Sequence, residues 1–231
     1  MKRYEKIYGN ETKKKFIKIL NKKVKAIEMN VKSFENVVNN IFAPIYPVIA
    51  ENIIKETGIT SGVCIDVGTG FGNLGLELAK LAPDIQAVLF DLSDEMLNEA
   101  QINCTRMRLA DRVRIQQGNV EQLPFDDNMA DLIISRGSIF FWEDQVKGIN
   151  EIYRVLKPGG CAYIGGGFGN QELFLQVSEK MKEHDPEWQN DRKNRTGEKG
   201  YNHFENMMKQ TDISHYEVSR KQAGLWIIFK K

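Results

Sequence analysis

The stretch Ile65-Asp66-Val67-Gly68-Thr69-Gly70-Phe71-Gly72-Asn73 places three glycines and one acid in nine positions, directly after the apolar start Val63-Cys64. Glycine lets a chain turn tightly and lets its backbone approach a ligand with no side chain between them. Such a turn between a buried strand and a helix marks a nucleotide-binding α/β unit, in which ligands sit beyond the carboxyl ends of the strands. Two frames compete. Gly70-Phe71-Gly72-Asn73-Leu74-Gly75 matches the dinucleotide pattern GxGxxG, where a helix N-terminus meets a pyrophosphate. Asp66-Val67-Gly68-Thr69-Gly70-Phe71-Gly72 is instead an acid followed by GxGxG. Asp91, at the tip of the next strand, suits a ribose hydroxyl pair in either frame.

Outward from the loop, short apolar runs alternate with helical spacing. Leu74, Leu78 and Leu81 form a helix face up to Pro83, and Ala87-Val88-Leu89-Phe90 is a second strand. Ser93 is an N-cap followed by Asp94 and Glu95, acids that suit the positive end of a helix dipole. Val113 and Ile115 start a third strand, and Leu132-Ile133-Ile134 is a fourth. Val146, Ile149, Tyr153 and Leu156 share a helix face ended by Lys157-Pro158-Gly159-Gly160, before a fifth strand over Cys161 to Ile164. A helix through Leu173, Val177 and Met181 follows. Five such units predict a parallel sheet with helices on both faces.

Residues 185–200 are polar and read as a surface excursion, followed by a helix around Phe204 to Met208. Tyr216 to Arg220 and Leu225 to Phe229 read as a hairpin adding strands of the opposite direction. On the other side, residues 13–57 read as helices broken near Ala43-Pro44 and Tyr46-Pro47, with Gly58 as the stop. The expected division is a helical cap or lid over 1–57 and an α/β domain over 58–231.

At 231 residues, 42% hydrophobic and 27% charged, the chain can bury one sizeable core. No apolar run approaches the ~20 residues of a membrane helix, and MKRYEKIYGNETKKKF lacks the apolar core of a secretory signal. A cytoplasmic location is expected. Cys64, Cys104 and Cys161 lack metal-ligand spacing and read as reduced, structural thiols, and no metal site is expected. Residues 1–32 carry eleven Lys/Arg against three Asp/Glu. That surplus suits an anionic partner or, more simply, a solvated helix face with Phe16, Ile17, Leu20, Val24 and Ile27 turned inward.

The acid distinguishes the two frames chemically. S-adenosylmethionine has no pyrophosphate; it carries an ammonium, a carboxylate and a sulfonium, so an acid at the end of strand one belongs near its cations. Asp66 to Gly72 resembles the first motif of the class I S-adenosylmethionine-dependent methyltransferases, in particular the small-molecule group that includes ubiquinone- and menaquinone-precursor enzymes. Val88-Leu89-Phe90-Asp91 with Leu92 to Leu97, Gly118-Asn119-Val120 with Leu123-Pro124-Phe125, Asp131 to Ser135, and Leu156 to Gly160 resemble the later motifs in order. The resemblance covers residues 58–168 and, in outline, the C-terminal hairpin. It implies a Rossmann-like, doubly wound and mostly parallel sheet with a C-terminal antiparallel hairpin and an N-terminal helical cap. The implied cofactor is S-adenosyl-L-methionine, with S-adenosyl-L-homocysteine as product.

Carried over by position, the resemblance sets Gly68, Gly70 and Gly72 beside the methionine part and Asp66 in support of the loop or the amino group. It sets Asp91 on the ribose, and Leu92 and Val120 against adenine, with core packing as the alternative for these two. Asn119 stands where the family often has Asp; its side-chain oxygen can still accept from the adenine amino group. Met96 and Ser135 complete the implied cofactor set.

The acceptor site is expected past strands four and five. Arg136, Phe140 and Trp142 follow strand four, Phe168 follows strand five, and Tyr46 comes from the N-terminal segment. Together they suit an apolar pocket with Arg136 for a negative group; helix–sheet packing is the alternative. Phe42, Tyr46 and Tyr8 suggest a lid. Methyl transfer needs a base only when the acceptor must lose a proton, and no catalytic residue is assigned; His184, His203 and His215 are isolated. The sequence reading is therefore methyl transfer to a small-molecule acceptor. An RNA-directed methyltransferase using the basic N-terminus is one alternative, although nucleic acid is disfavoured because Ser135-Arg136-Gly137-Ser138 replaces the Asn/Asp-Pro-Pro-aromatic motif. A nicotinamide-dependent dehydrogenase is the other.

Overall fold

The computed structural model describes residues 37–185 and 187–231. A short π-helical turn, Val37–Phe42, falls in a unit of residues 1–43; the compact unit treated below is Pro44–Lys231. The lid expected from the first helices falls largely on residues 1–36, outside the described residues.

Seven strands form one sheet: β1 (Ser61–Val67), β2 (Asp84–Asp91), β3 (Val113–Gln117), β4 (Ala130–Arg136), β5 (Leu156–Gly166), β6 (Tyr216–Ser219) and β7 (Leu225–Lys230), in the order β3-β2-β1-β4-β5-β7-β6. The first five pair in parallel, and β7 runs antiparallel to both β5 and β6. Only β7 is therefore reversed: β6, antiparallel to a reversed strand, points with the main sheet. The expected hairpin is present, but it contributes one opposed strand, not two.

Both sheet faces are buried, which is why the central strands read as unbroken apolar runs. One face carries Ile65, Val67, Val88, Ile133 and Ile164 under the helices Gln145–Val155 and Glu198–Met208, through Ile149, Ile152, Phe204 and Met207. Each fully buried aliphatic side chain there contributes roughly 1.5–3 kcal/mol. The alternate residues Cys64, Asp66, Leu89 and Ile134 point to the other face. There α1 (Ile45–Thr57) packs along α2 (Asn73–Leu81), burying Ile45, Ile49 and Ile53.

Two local readings are corrected, and a third gains detail. Pro47 does not break the chain; it sits in the first turn of α1, whose opening N–H groups need no intrahelical acceptor. Gly58 does stop this helix, at φ 72° with its N–H donating to Ile54. Lys157-Pro158-Gly159-Gly160 does not end a helix either. The helix has already stopped at Val155, and β5 pairs Leu156 with Ala130 before slipping to Cys161 with Leu132. The phrase is a bulge inside strand five, with Gly159 at φ 84° donating to the carbonyl of Lys231. Finally, the polar stretch 185–200 contains a helix, Trp188–Thr196, with no buried residue.

Candidate functional site

The loop after β1 is fastened by two carboxylates that sit on adjacent strands. Asp66, 2% exposed, accepts on one oxygen from the Thr69 hydroxyl (2.6 Å) and from the Gly75 N–H (2.9 Å). It thus clips the loop to the first turn of α2. Burial pushes its pKa up to about 6, against the lowering effect of the Thr69 and Gly75 hydrogen bonds, with Asp91 adding a smaller upward push. Asp91 accepts from Gly70 N–H (2.8 Å) on one oxygen and from Ser93 N–H (3.0 Å) on the other. A carboxylate has about four acceptor positions, so this one keeps room for two further donors. Gly68 and Thr69 donate to the Phe90 carbonyl at 2.8 and 3.1 Å, which closes the join between the tips of β1 and β2.

The three glycines serve different purposes. A Cβ on Gly68 would strike Ser138, and one on Gly72 would meet Leu89 at 2.8 Å; both positions are needed for packing. At Gly70, with φ 55°, a Cβ would meet nothing within 4 Å. Its missing side chain leaves a space beside Asp91.

Around this space the other expected cofactor residues are less uniform. Leu92 is 67% exposed next to Asp91, a large apolar side chain left open beside that acid. Asn119 is exposed at the tip of β3, its side-chain oxygen accepting from Glu121 N–H (2.9 Å) as the cap of a short turn. Met96 is half-buried in the first turn of α3 (Asp94–Arg106), which Ser93 caps as expected through a 3.3 Å bond from Met96 N–H. Val120 lies in the core cluster. Ser135 is fully buried: Ser138 donates its proton to the Val67 carbonyl (3.0 Å), so Ser135 is the donor in the 2.7 Å contact between their hydroxyls. Trp142 Nε1 also donates to Ser138, at 3.2 Å. Ser138, unassigned at the sequence level, therefore locks the loop after β4 to the end of β1.

Beyond β4 and β5 the structure brings together three of the five expected acceptor residues. The Arg136 guanidinium lies over the rings of Tyr46 (5.6 Å) and Phe168 (5.8 Å), and its Nε donates to Gly167 (3.3 Å). Burial lowers its pKa, with Tyr46 opposing that shift through charge and a hydrogen bond. Phe140 stacks on Phe204 at 5.8 Å, and Trp142 packs against Gly148; these two support the wall. Asn52 of α1 donates to Gly169 (2.9 Å), tying that helix to the loop after β5. Among the described residues no group of His, Cys, Asp and Glu is arranged to hold a metal ion.

A parallel sheet with a glycine loop at β1, an acid at the tip of β2 and an open space between them defines a nucleotide-binding domain of the doubly wound type. The match to a family model described as a methyltransferase domain spans residues 65–164. A solved structure from Methanococcus maripaludis, assigned as an S-adenosyl-L-methionine-dependent methyltransferase, is 44% identical and superposes with a TM-score of 0.84 over 87% of this chain and 91% of that one. The chain belongs to the S-adenosyl-L-methionine-dependent methyltransferases. The family cofactor is S-adenosyl-L-methionine, and the space at Gly70, the free acceptor positions of Asp91 and the bare Leu92 fit it.

Among curated relatives, the demethylmenaquinone methyltransferase of Chlorobaculum tepidum is 37% identical over 43% of this chain and 38% of its own length. The ubiquinone/menaquinone biosynthesis C-methyltransferase UbiE of Rickettsia prowazekii is 36% identical over 48% of this chain and 46% of its own. The chain thus spans less than half the length of these relatives.

Proposed function

We propose that the protein transfers the methyl group of S-adenosylmethionine to a small-molecule acceptor. The observation that carries this reading is the clasp at the β1 and β2 tips, where Asp66 and Asp91 fix the Gly68–Gly72 loop and leave Gly70 open. When bound, S-adenosylmethionine supplies a methyl group on a sulfonium, already an excellent leaving group. What the chain must add is alignment and a dry site. Asp91 takes the ribose hydroxyls, Leu92 lies against adenine with Asn119 and Met96 at its edge, and Gly68 and Gly70 pass the methionine part. Tyr46, Arg136 and Phe168 border the acceptor, and the Tyr46 and Phe168 rings exclude water. The quinone-directed names of the two curated relatives support a small-molecule acceptor.

A cytoplasmic location belongs to the same proposal. It is supported by three buried free thiols; among the described residues no helix is long and apolar enough to cross a membrane.

The test is a transfer assay with methyl-labelled S-adenosylmethionine, the intact protein and a panel of phenols, quinols and small acids, run beside total RNA. Label in a small molecule is the expected result. Label in RNA alone would contradict it.

A further inference from the structure

The connection between β3 and β4, residues 118–129, carries Asn119 and is strung along one helix, α4 (Gln145–Val155). At the start of α4 the Asp144 N–H donates to the Glu121 carboxylate at 2.9 Å. At its end Asn128 and Met129 donate to the carbonyls of Arg154 (3.2 Å) and Val155 (2.8 Å). Between these ties stand Glu151 and Arg154, one helical turn apart and joined by two parallel bonds. Arg154 Nε donates to Oε1 and Nη2 to Oε2, both at 2.8 Å, the planar fork that an arginine forms with a carboxylate.

Every N–H donor of Arg154 is engaged, and the rest all go to the connection. Nη2 donates to the Leu123 carbonyl (2.9 Å), and Nη1 donates to the Phe125 carbonyl (2.8 Å) and to Asp127 (2.7 Å). Oε2 of Glu151 accepts from the Leu123 N–H at 2.8 Å. The backbone of Leu123 is therefore held at both its donor and its acceptor. This grip reaches Asn119 through packing. A Cβ on Gly118 would meet the Phe90 ring at 2.7 Å and Pro124 at 3.6 Å, and Phe125 lies 5.6 Å from Phe90. On the other side, a Cβ on Gly148 of α4 would meet Val120 at 3.5 Å. The leg fixed at 123–125 thus lies beside the leg that carries Asn119. A ligand contact borne on a loop is only as exact as the bonds behind it.

We propose that Arg154 and Glu151 are positioning residues of the cofactor site, which act through residues 118–127 to hold Asn119 at the adenine edge and so set which base the site accepts. This rests on the adenine placement proposed above. An ion pair that served only the fold would, when weakened, lower the affinity for every ligand of the site alike. A pair that sets the adenine edge changes the preference between bases. Lysine cannot replace Arg154 here, because an ammonium keeps the charge but has three donors and no planar fork.

The experiment is calorimetric titration of the full chain with S-adenosylhomocysteine and with S-inosylhomocysteine, whose base carries a 6-oxo group in place of the 6-amino group. The wild-type chain should bind the adenosyl compound about tenfold or more tightly, the ratio expected for one lost hydrogen bond with its partner left unmatched. Arg154→Lys should reduce that ratio to about threefold or less. Glu151→Gln, which keeps an acceptor for Leu123, should reduce it by a smaller factor. Asp91→Ala, acting on the ribose, should weaken both ligands and keep the ratio. A ratio that survives both Arg154→Lys and Glu151→Gln, or a wild-type chain with no preference, would overturn the inference. Unfolding of both variants by circular dichroism would overturn it too, since the pair would then hold the fold. If S-adenosylhomocysteine itself fails to bind the wild-type chain, the proposed function fails first, so the two failures are distinguishable.

Discussion

The two ends of the candidate site are built by different physics. At the β1–β2 tips, short directional bonds do the positioning: two carboxylates hold four backbone or hydroxyl donors, at 2.6 to 3.0 Å. Past β4 and β5, broad contacts dominate, with guanidiniums resting on rings at 4.5 to 5.8 Å. A clasp of the first kind holds one shape, as suits a ligand that is always the same. A floor of the second kind tolerates different partners and selects them by charge and apolar area. The difference fits the proposed division between a cofactor end and an acceptor end.

The comparison can be broken most severely at the glycines. Gly68→Ala should cost about 3 kcal/mol, combining a positive φ with a clash against Ser138, which packs on that side. Gly70→Ala should cost only about 1 kcal/mol, since nothing crowds it. It should nonetheless abolish S-adenosylhomocysteine binding, because the methyl enters the open space. Urea midpoints and calorimetry on both variants check this; equal destabilisation would mean that the two glycines are not divided as described.

Asp66 sharpens the contrast through pH. Its folded-state pKa of about 6 lies above the ordinary carboxylate value of 3.8, so the folded state binds the proton more tightly. The group's contribution is therefore most favourable below pH 4 and is lost as pH rises through 6. Relative to Asp66→Asn, the wild-type chain should lose about 2 kcal/mol of stability between pH 4 and 7. Urea unfolding of both proteins across that range measures it, and parallel profiles would show that Asp66 is not a strained buried acid. A smaller effect is expected at Asp91. Asp91→Ala should weaken S-adenosylhomocysteine binding by about 1.5–3 kcal/mol through lost charge-assisted hydrogen bonds, with the sheet intact by circular dichroism. An unchanged dissociation constant would remove Asp91 from the ribose.

The same division explains what was legible in the sequence. The clasp is local: Asp66, Thr69, Gly70 and Gly75 lie within ten positions and Asp91 ends the next strand, so the motif located the loop and its two acids. The bonds from Thr69 and Gly75 to Asp66 emerged only in the structure. Central strands such as Leu132-Ile133-Ile134 were readable because both their faces are buried. The proposed acceptor end draws Tyr46, Arg136 and Phe168 from α1, β4 and the loop after β5, and only the sheet order brings them together. The helix Trp188–Thr196 was hidden for a further reason. Its ring contacts come from one tryptophan and two arginines, which leaves no apolar period to detect. Ser138 was equally invisible, since its bonds to Val67, Ser135 and Trp142 depend on how two loops meet. Pro47 misled because a proline in a first turn looks, in sequence, like a break.

The glycine loop is proposed to hold S-adenosylmethionine rather than a dinucleotide. Calorimetric titration of the intact protein with S-adenosylhomocysteine and, separately, with NADH tests it most directly. One site for S-adenosylhomocysteine and no heat from NADH are expected. Binding of NADH without S-adenosylhomocysteine would contradict it, and would return the loop to the GxGxxG frame at Gly70 to Gly75.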